Sequence, residues 1–581
     1  MSDALRVLRR GFVVLLLGCT LAGLSQAQQL PVTIERDVPA KMRDGVVLRA
    51  DIYRPRANGK YPVLLQRTPY NKGPDNPFGH RGATKGYVVI FQDVRGRFAS
   101  EGEWYPFKYE ADDGYDTVEW AAALPYVNGQ VAMFGTSYPG IVQKLAAIAR
   151  PPHLVAIFPV MATSNRQEGG AATLSLAQLW TTTMAIETLT RRIVLNRKPL
   201  EWAQQLPLVS FSVLEFGSAK TLAPYYFDWL DHPTHDDYWQ RWCFDENATK
   251  VNVPAYHLGG WYDLFTNGTL HDYMSVKNRG GSNAARQGQR LLMGPWDHGP
   301  WESKVGEVDF GPLARLDYYD FTFRYYDCLL KGQPTGIDRE KPVKIFAMGQ
   351  NVWREEDDWP LTRARNTRYY LHSEGKAQSL RGNGKLSTEP PKEEVADRYV
   401  YDPENPVPTY GGRVCCDPNL LGGPRDQRVI EAREDVLVYT TPPLEADTEI
   451  TGFISLELYA SSTAVDTDFT AKLTDVWPNG FAQILTDGIQ RARYRISQEK
   501  PELMKPGQVY KLTIDTGATS NVFLSGHRLR LEVSSSNFPR FDRNLNTGED
   551  QASGTRIVKA TNTIYHDSQH PSAVVLPVVP R

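Results

Sequence analysis

The run Gln130-Val131-Ala132-Met133-Phe134-Gly135-Thr136-Ser137-Tyr138-Pro139-Gly140 carries an apolar strand into a sharp turn with a serine at its apex. A buried strand that turns into a helix through Gly-x-Ser-x-x-Gly exposes the serine Oγ and sets the next amide at a helix N-terminus, as a serine nucleophile requires. Ser137 is therefore the candidate nucleophile. Pro139 stands where the stricter pattern has its second glycine, and Gly140 comes one place later. Pro139 is tolerated because the first helical turn needs no amide bond. The bland alternative is a glycine-rich turn without chemistry.

A serine hydroxyl needs a histidine base, and the base needs a carboxylate that fixes its tautomer and stabilises the imidazolium. In α/β-hydrolases the three follow in the order serine, acid, histidine, at strand ends. Two apolar runs here end in suitable turns, Gly259-Gly260-Trp261-Tyr262-Asp263 and Gly294-Pro295-Trp296-Asp297-His298. The order Ser137, Asp263, His298 meets the requirement. His271 falls inside a helical pattern, and Asp297, whose side chain points away from its neighbour's, reads as a surface or loop residue. The amide of Tyr138 offers one oxyanion donor. The loop Gln66-Arg67-Thr68-Pro69-Tyr70-Asn71-Lys72, after Val63-Leu64-Leu65, lacks paired glycines, so a second donor falls to a side chain, and Tyr70 carries a phenol. Spacing alone leaves packing as the other role for Tyr70.

These residues need a frame. Short apolar runs at Val63-Leu64-Leu65, Val88-Val89-Ile90-Phe91 and Val131-Ala132-Met133-Phe134 alternate with helical patterns at Asp112 to Leu124 and after Gly140, which predicts a parallel sheet covered on both sides. Residues 161–250 lose the strand pattern and read as a helical insertion. Strands resume at Val253 to Leu258 and Arg290 to Met293. Beyond about residue 365 helices nearly vanish, and Thr451 to Leu458 and Arg528 to Val533 alternate apolar with polar, as half-buried antiparallel strands do. The expected fold is an α/β core (28–160 and 251–360), a helical cap (161–250) and a C-terminal all-β sandwich of jelly-roll type (361–581).

The 581 residues exceed what one hydrophobic core supports. With 65 Lys+Arg against 67 Asp+Glu the formal charge is −2, so no global field gathers nucleic acid or an anionic membrane. Residues 1–27 read as an export signal: Arg6, Arg9 and Arg10, an apolar run from Phe12 to Leu24, then Ser25-Gln26-Ala27 before Gln28. Arg9-Arg10-Gly11-Phe12 is similar to a twin-arginine signal, and Leu16-Leu17-Gly18-Cys19 to a lipid-anchor box, although the apolar run continues past Cys19. No later stretch reaches the length of a membrane span. Cys243, Cys328, Cys415 and Cys416 allow at most two bridges in the mature chain, and adjacent Cys415 and Cys416 would bridge each other only with strain. No metal-ligand spacing is present, and no metal or cofactor is expected. Self-association is left open.

Five ordered motifs, Arg67-Thr68-Pro69-Tyr70, Gln92-Asp93-Val94-Arg95-Gly96-Arg97 with Ser100-Glu101-Gly102, Met133 to Tyr138, Gly260 to Asp263 and Gly294 to His298, resemble the cocaine esterase and X-Pro dipeptidyl-peptidase family of serine hydrolases. Ser525-Gly526-His527-Arg528 and Ser536-Asn537-Phe538-Pro539-Arg540 resemble its C-terminal jelly-roll domain. The resemblance implies Ser137 as nucleophile, His298 as base, Asp263 as its partner, and the Tyr70 hydroxyl with the Tyr138 amide as oxyanion hole. It also implies that Phe265 lines the acyl pocket. Trp180, in the insertion, is read as a second wall, or else as the core face of an amphipathic helix. The family's α-amino acid ester hydrolases hold an ammonium with acids close to the triad aspartate, whereas Leu264 and Phe265 follow Asp263 here. A desolvated ammonium would lack a counter-charge. The expected activity is therefore hydrolysis of small-molecule esters or amides with an apolar or aryl acyl group. The rivals are an α-amino acid ester hydrolase, acylase or X-Pro dipeptidyl-peptidase on the same triad, and an inactive carbohydrate-binding protein. Asp93 and Arg95 read as loop braces.

Overall fold

A computed structural model describes residues 31–165, 169–171, 173–188, 201, 203–210, 223–415 and 419–580. The expected export segment, with Cys19, lies outside the described residues, as does Cys416.

One ten-stranded sheet frames the first part of the chain. Its strands are β1 (Val32–Lys41), β2 (Val47–Pro55), β3 (Tyr61–Thr68), β4 (Val88–Asp93), β5 (Val127–Thr136), β6 (Leu154–Val160), β7 (Ala255–Gly260), β8 (Gln289–Gly294) and, beyond a small hairpin of β9 (Lys304–Val305) and β10 (Val308–Asp309), β11 (Val343–Ala347) and β12 (Val352–Glu356). The spatial order is β1-β2-β4-β3-β5-β6-β7-β8-β11-β12. From β4 to β11 every pairing is parallel, and both margins are antiparallel. The sheet is thus mixed rather than purely parallel. The turn at Asp44-Gly45, with Gly45 at φ 92°, joins β1 to β2 directly, and so short a connection permits only antiparallel neighbours.

The central strands are buried on both faces, which explains their uninterrupted apolar runs: β4 and β7 are covered at every position. Val63, Leu65, Ile90 and Met133 face α2 (Glu110–Ala122) and α3 (Tyr138–Ala149). Leu64, Val89, Phe91 and Phe134 point the other way, into a cluster with Phe78 of α1 (Pro77–Thr84) and Phe323 and Tyr326 of the helix Tyr318–Lys331.

Between β6 and β7 the described residues hold no strand. A π-helical turn, Ser175–Trp180, runs into α4 (Thr181–Thr188), and α5 (Pro224–Asp231) follows. Their aromatic residues, Trp180, Tyr225 and Trp229, with Trp239 and Trp242, form one buried cluster against Phe107, Tyr138 and Ile141 of the core. That is how the insertion is fixed over the Ser137 turn.

The C-terminal part is all-β: β13 (Arg365–His372), β14 (Lys385–Ser387), β15 (Asp397–Tyr401), β16 (Leu437–Thr440), β17 (Thr448–Ser462), β18 (Asp468–Val476), β19 (Ala482–Arg491), β20 (Tyr510–Phe523), β21 (Arg528–Ser534), β22 (Ala560–Tyr565) and β23 (Ala573–Val579). Burial alternates along the middle of β17, as its sequence predicts. The two lobes are tied by Arg354 to Glu449 in a bidentate pair and by Gln483 Nε2 donating to Tyr262 Oη at 2.9 Å.

Candidate active site

β5 ends at Thr136, and Ser137 takes φ 65°, ψ −126° at the head of α3. A non-glycine residue at positive φ is strained, and such strain persists where surrounding contacts hold it. Here Ser137 N–H donates to Val160 C=O at 2.9 Å, and Ser137 C=O accepts Gly140 N–H at 2.7 Å and Ile141 N–H at 3.0 Å. The glycine spacing has a packing cause. A Cβ on Gly135 would stand 2.5 Å from Pro139 Cβ, and one on Gly140 would stand 2.5 Å from Ala162 Cβ. The helix needs its second glycine where it crosses the end of β6, three places after the serine.

The loops after β7 and β8 lock together. Trp261 N–H donates to Gly294 C=O and Tyr262 N–H to Trp296 C=O, at 2.8 and 3.0 Å. A Cβ on Gly260 would meet Trp296 O at 2.1 Å, so only glycine allows this approach. The consequence is the meeting of Asp263 and His298: His298 Nδ1 lies 2.5 Å from Asp263 Oδ2, while Asp263 Oδ1 accepts Phe265 N–H at 2.7 Å. The Asp263 side chain is wholly buried and that of His298 is 11% exposed. Bonding through Nδ1 directs Nε2 outward for proton transfer. Phe265, at the head of α6 (Thr266–Arg279), packs edge-on against the His298 ring at 5.6 Å. Asp297 lies in the loop after β8, as one of its two readings has it, and is half-buried. Burial first, and then the charge of Asp263, push its carboxyl up.

Tyr70, Tyr138 and Trp180 form a second group beside Ser137. The Tyr70 and Tyr138 rings meet edge-on at 6.5 Å, and Trp180 stacks on Tyr138 at 6.1 Å. Trp180 Nε1 donates to Tyr70 Oη at 3.1 Å. Trp180 therefore supports the Tyr70 hydroxyl as well as packing in the cap. Arg97 bridges the same parts, donating from Nε to Pro69 C=O at 2.9 Å and from Nη1 to Met184 C=O at 3.1 Å. Tyr138 is buried, and its hydroxyl donates to Glu110 Oε1 at 2.9 Å. Burial first, and then Glu110, hold that phenol well above its ordinary value.

The structure thus makes two groups, Asp263–His298–Phe265 and Tyr70–Tyr138–Trp180, with Ser137 beside the second and all on the carboxyl edge of the parallel strands. Sequence reasoning passed over Glu110, Arg67 and Arg97. Arg67 stood in a recognised motif without a role, and Glu110 reads in sequence as one of three acids in the first turn of a helix. Arg95 pairs with Asp113 and Asp44, and Asp93 accepts from Lys72, so both brace loops. Cys243 and Cys328 are free, and Cys415 is disulfide-bonded. Among the described residues no helix is long and apolar enough to cross a membrane, and no group of three His, Cys, Asp or Glu could hold a metal.

Residues 44–300 match the family model described as X-Pro dipeptidyl-peptidase (S15 family), and residues 335–575 match the X-Pro dipeptidyl-peptidase C-terminal non-catalytic domain. A cocaine esterase of Rhodococcus sp. (strain MB1 Bresler) is 38% identical over 578 residues, which cover 94% of this chain and 99% of the relative. The chain belongs to the S15 family of serine hydrolases. A serine esterase of Mycobacterium bovis, so described provisionally, is 26% identical and covers 93% of this chain and 94% of its own length. Among solved structures, an α-amino acid ester hydrolase superposes with TM-score 0.80 at 26% identity, over 98% of both chains. An aminopeptidase from a marine sediment archaeon (Thaumarchaeota archaeon) superposes with TM-score 0.83 at 24% identity, over 96% of this chain and 98% of its own, and shares the fold. The α/β-hydrolase core with a C-terminal all-β domain is thus the family's architecture.

Proposed function

We propose that this serine hydrolase cleaves small carboxylic esters through an acyl-enzyme on Ser137. His298 Nε2 takes the Ser137 proton as Oγ attacks the ester carbonyl. Asp263 holds the imidazole by Nδ1 and stabilises it when charged. The Tyr138 amide and the Tyr70 hydroxyl receive the oxyanion. His298 then returns the proton to the leaving alcohol, and water releases the acid by the same steps. The carrying observation is the 2.5 Å contact between His298 Nδ1 and Asp263 Oδ2 at the strand edge where Ser137 sits at positive φ.

The acyl group favoured is apolar or aryl. Support comes from Leu264 and Phe265, which stand directly after Asp263 and are buried, with the Phe265 ring against His298. That side of the site offers an aromatic face, Asp263 is already bonded to His298, and Asp297 is half-buried. Cocaine esterase, so named, hydrolyses an ester, in keeping with this choice. The proposal includes export through residues 1–27.

One experiment covers these points. A fluorophosphonate probe should label the wild-type chain and leave Ser137→Ala unlabelled, and Ser137→Ala should lose p-nitrophenyl benzoate hydrolysis by at least about 10⁴-fold. The labelled protein from the exported fraction should start at Gln28, and des-amino aryl esters should turn over faster than their α-amino counterparts. Labelling that persists in Ser137→Ala sinks the mechanism, a preference for α-amino esters sinks the acyl assignment, and an intact Met1 sinks export.

A further inference from the structure

Tyr138 does two things at once. Its amide follows the nucleophile, and its phenol reaches back into the core, where the hydroxyl donates to Glu110 Oε1 at 2.9 Å and accepts Phe107 N–H at 3.2 Å. Glu110 Oε2 accepts Arg67 Nη1 at 2.7 Å. Arg67 Nε donates to Gln92 Oε1 at 2.9 Å, and the same oxygen accepts Thr117 Oγ1 at 2.9 Å. Arg67 lies on β3, three residues before Tyr70. The Arg67 side chain is wholly buried and that of Glu110 is 4% exposed.

One carboxylate therefore grips, by its two oxygens, the residue that carries the first oxyanion donor and the strand that leads to the second. A buried ion pair is a weak source of net stability, because desolvation offsets most of the Coulomb gain. It defines geometry through the atoms that do have fixed partners, here both Glu110 oxygens and Arg67 Nε and Nη1, while Arg67 Nη2 makes no hydrogen bond. The stacking of Tyr138 between Phe107, at 5.0 Å, and Trp180 already holds the plane of the ring. What the Glu110 bond adds is the position of the ring along that plane, and with it the direction of the backbone at the head of α3.

We infer that Glu110 is a positioning residue for ester hydrolysis, coupling the Tyr138 amide to the Tyr70 loop through Arg67 and so fixing the separation of the two oxyanion donors. Glu110 touches neither substrate nor nucleophile. The inference rests on the oxyanion hole proposed above. A role confined to folding would lower stability and leave the turnover of the folded fraction unchanged.

Tyr138→Phe is the cleanest test, since it keeps the amide, the ring and the Arg67–Glu110 pair and removes one hydroxyl. Glu110→Gln keeps an acceptor for Tyr138, and Arg67 retains Asp113 Oδ2 at 3.9 Å as a counter-charge. The readouts are kcat and KM on a p-nitrophenyl ester and the inhibition constant of phenylboronic acid, whose tetrahedral adduct on Ser137 presents an oxygen to the same donors. Tyr138→Phe should lower kcat about 10- to 100-fold and weaken the boronic acid by the same factor, the scale of a sub-ångström to 1 Å misplacement of a catalytic group. KM should stay within about twofold. Glu110→Gln should shift the same quantities in the same direction. A folded Tyr138→Phe enzyme with parental kcat and parental boronic acid affinity overturns the inference, and so does a change confined to the thermal midpoint. Should Glu110→Gln fail to fold, Tyr138→Phe decides alone. Persistent activity in Ser137→Ala would instead strike at the nucleophile, an outcome the boronic acid comparison keeps separate.

Discussion

The chain contains a second grouping of serine, histidine and aspartate, in the β-sandwich. Ser373 Oγ donates to Asp397 Oδ2 at 2.7 Å and lies 3.2 Å from His566 Nε2, which itself meets Asp397 Oδ2 at 2.9 Å. By residue type it matches Ser137, His298 and Asp263. By arrangement it is inert: His566 is wholly buried, and its two nitrogens face two carboxylates, Asp397 and Glu394. No nitrogen remains to take a serine proton. Ser373 bonds directly to the acid, and its oxygen also accepts Gly375 N–H at 2.9 Å. In the core the acid bonds one nitrogen of the histidine ring only, and the serine stands on a strained turn. A triad is defined by which nitrogen is left over and whether the hydroxyl is presented. The match of this half to a domain described as non-catalytic agrees.

Breaking each histidine sharpens the contrast. His298→Ala should cut kcat by at least about 10⁴-fold in steady-state ester hydrolysis, since the proposed base is lost. A drop of less than tenfold would place the base elsewhere. Next in size, Tyr70→Phe should lower kcat by about 10²–10³-fold, as removal of one oxyanion donor does, and a loss below about threefold would return Tyr70 to packing.

His566→Ala should spare kcat and strike stability by about 3–5 kcal/mol, because it leaves the buried Asp397 carboxylate without its cation. The pH dependence follows from the shifts. Burial works against the charged ring of His566, but Asp397 and Glu394 outweigh it and raise the histidine above 6.5. Its contribution is fully present below 6.5 and is lost as pH rises through the higher folded value. For Asp397, burial is outweighed by His566, Ser373, the Ala377 amide and Tyr439, which hold it below 3.8, so its contribution is lost only as pH falls through that lowered value. Wild-type thermal midpoints should therefore decline as pH rises from about 6 to about 9, and calorimetry on His566→Ala should show a flatter profile over that range. An equal decline in the variant would deny the pairing its role.

The parts of the site legible in sequence are those set by local chain geometry. The strand-end positions of Ser137, Asp263 and His298 were readable because each closes an apolar run at a turn. The alternating sandwich strands β17 and β21 were readable for the same reason. The antiparallel margin was missed because β1 alternates weakly, with positions mostly half-exposed. Glu110 was missed because its partners, Arg67 and Tyr138, are 43 and 28 residues away in sequence. No local pattern tells a solvated helix-end acid from one folded into the core. The hydrogen bond from Trp180 to Tyr70 spans 110 residues and is equally silent in the sequence.

The glycine three places after Ser137 has a bearing beyond this chain. Its position is dictated by Ala162, a residue of a different strand exit, and not by the serine. A pattern search that demands glycine two places after the serine would pass over every hydrolase whose neighbouring strand presses one residue further along the helix, however complete its catalytic apparatus.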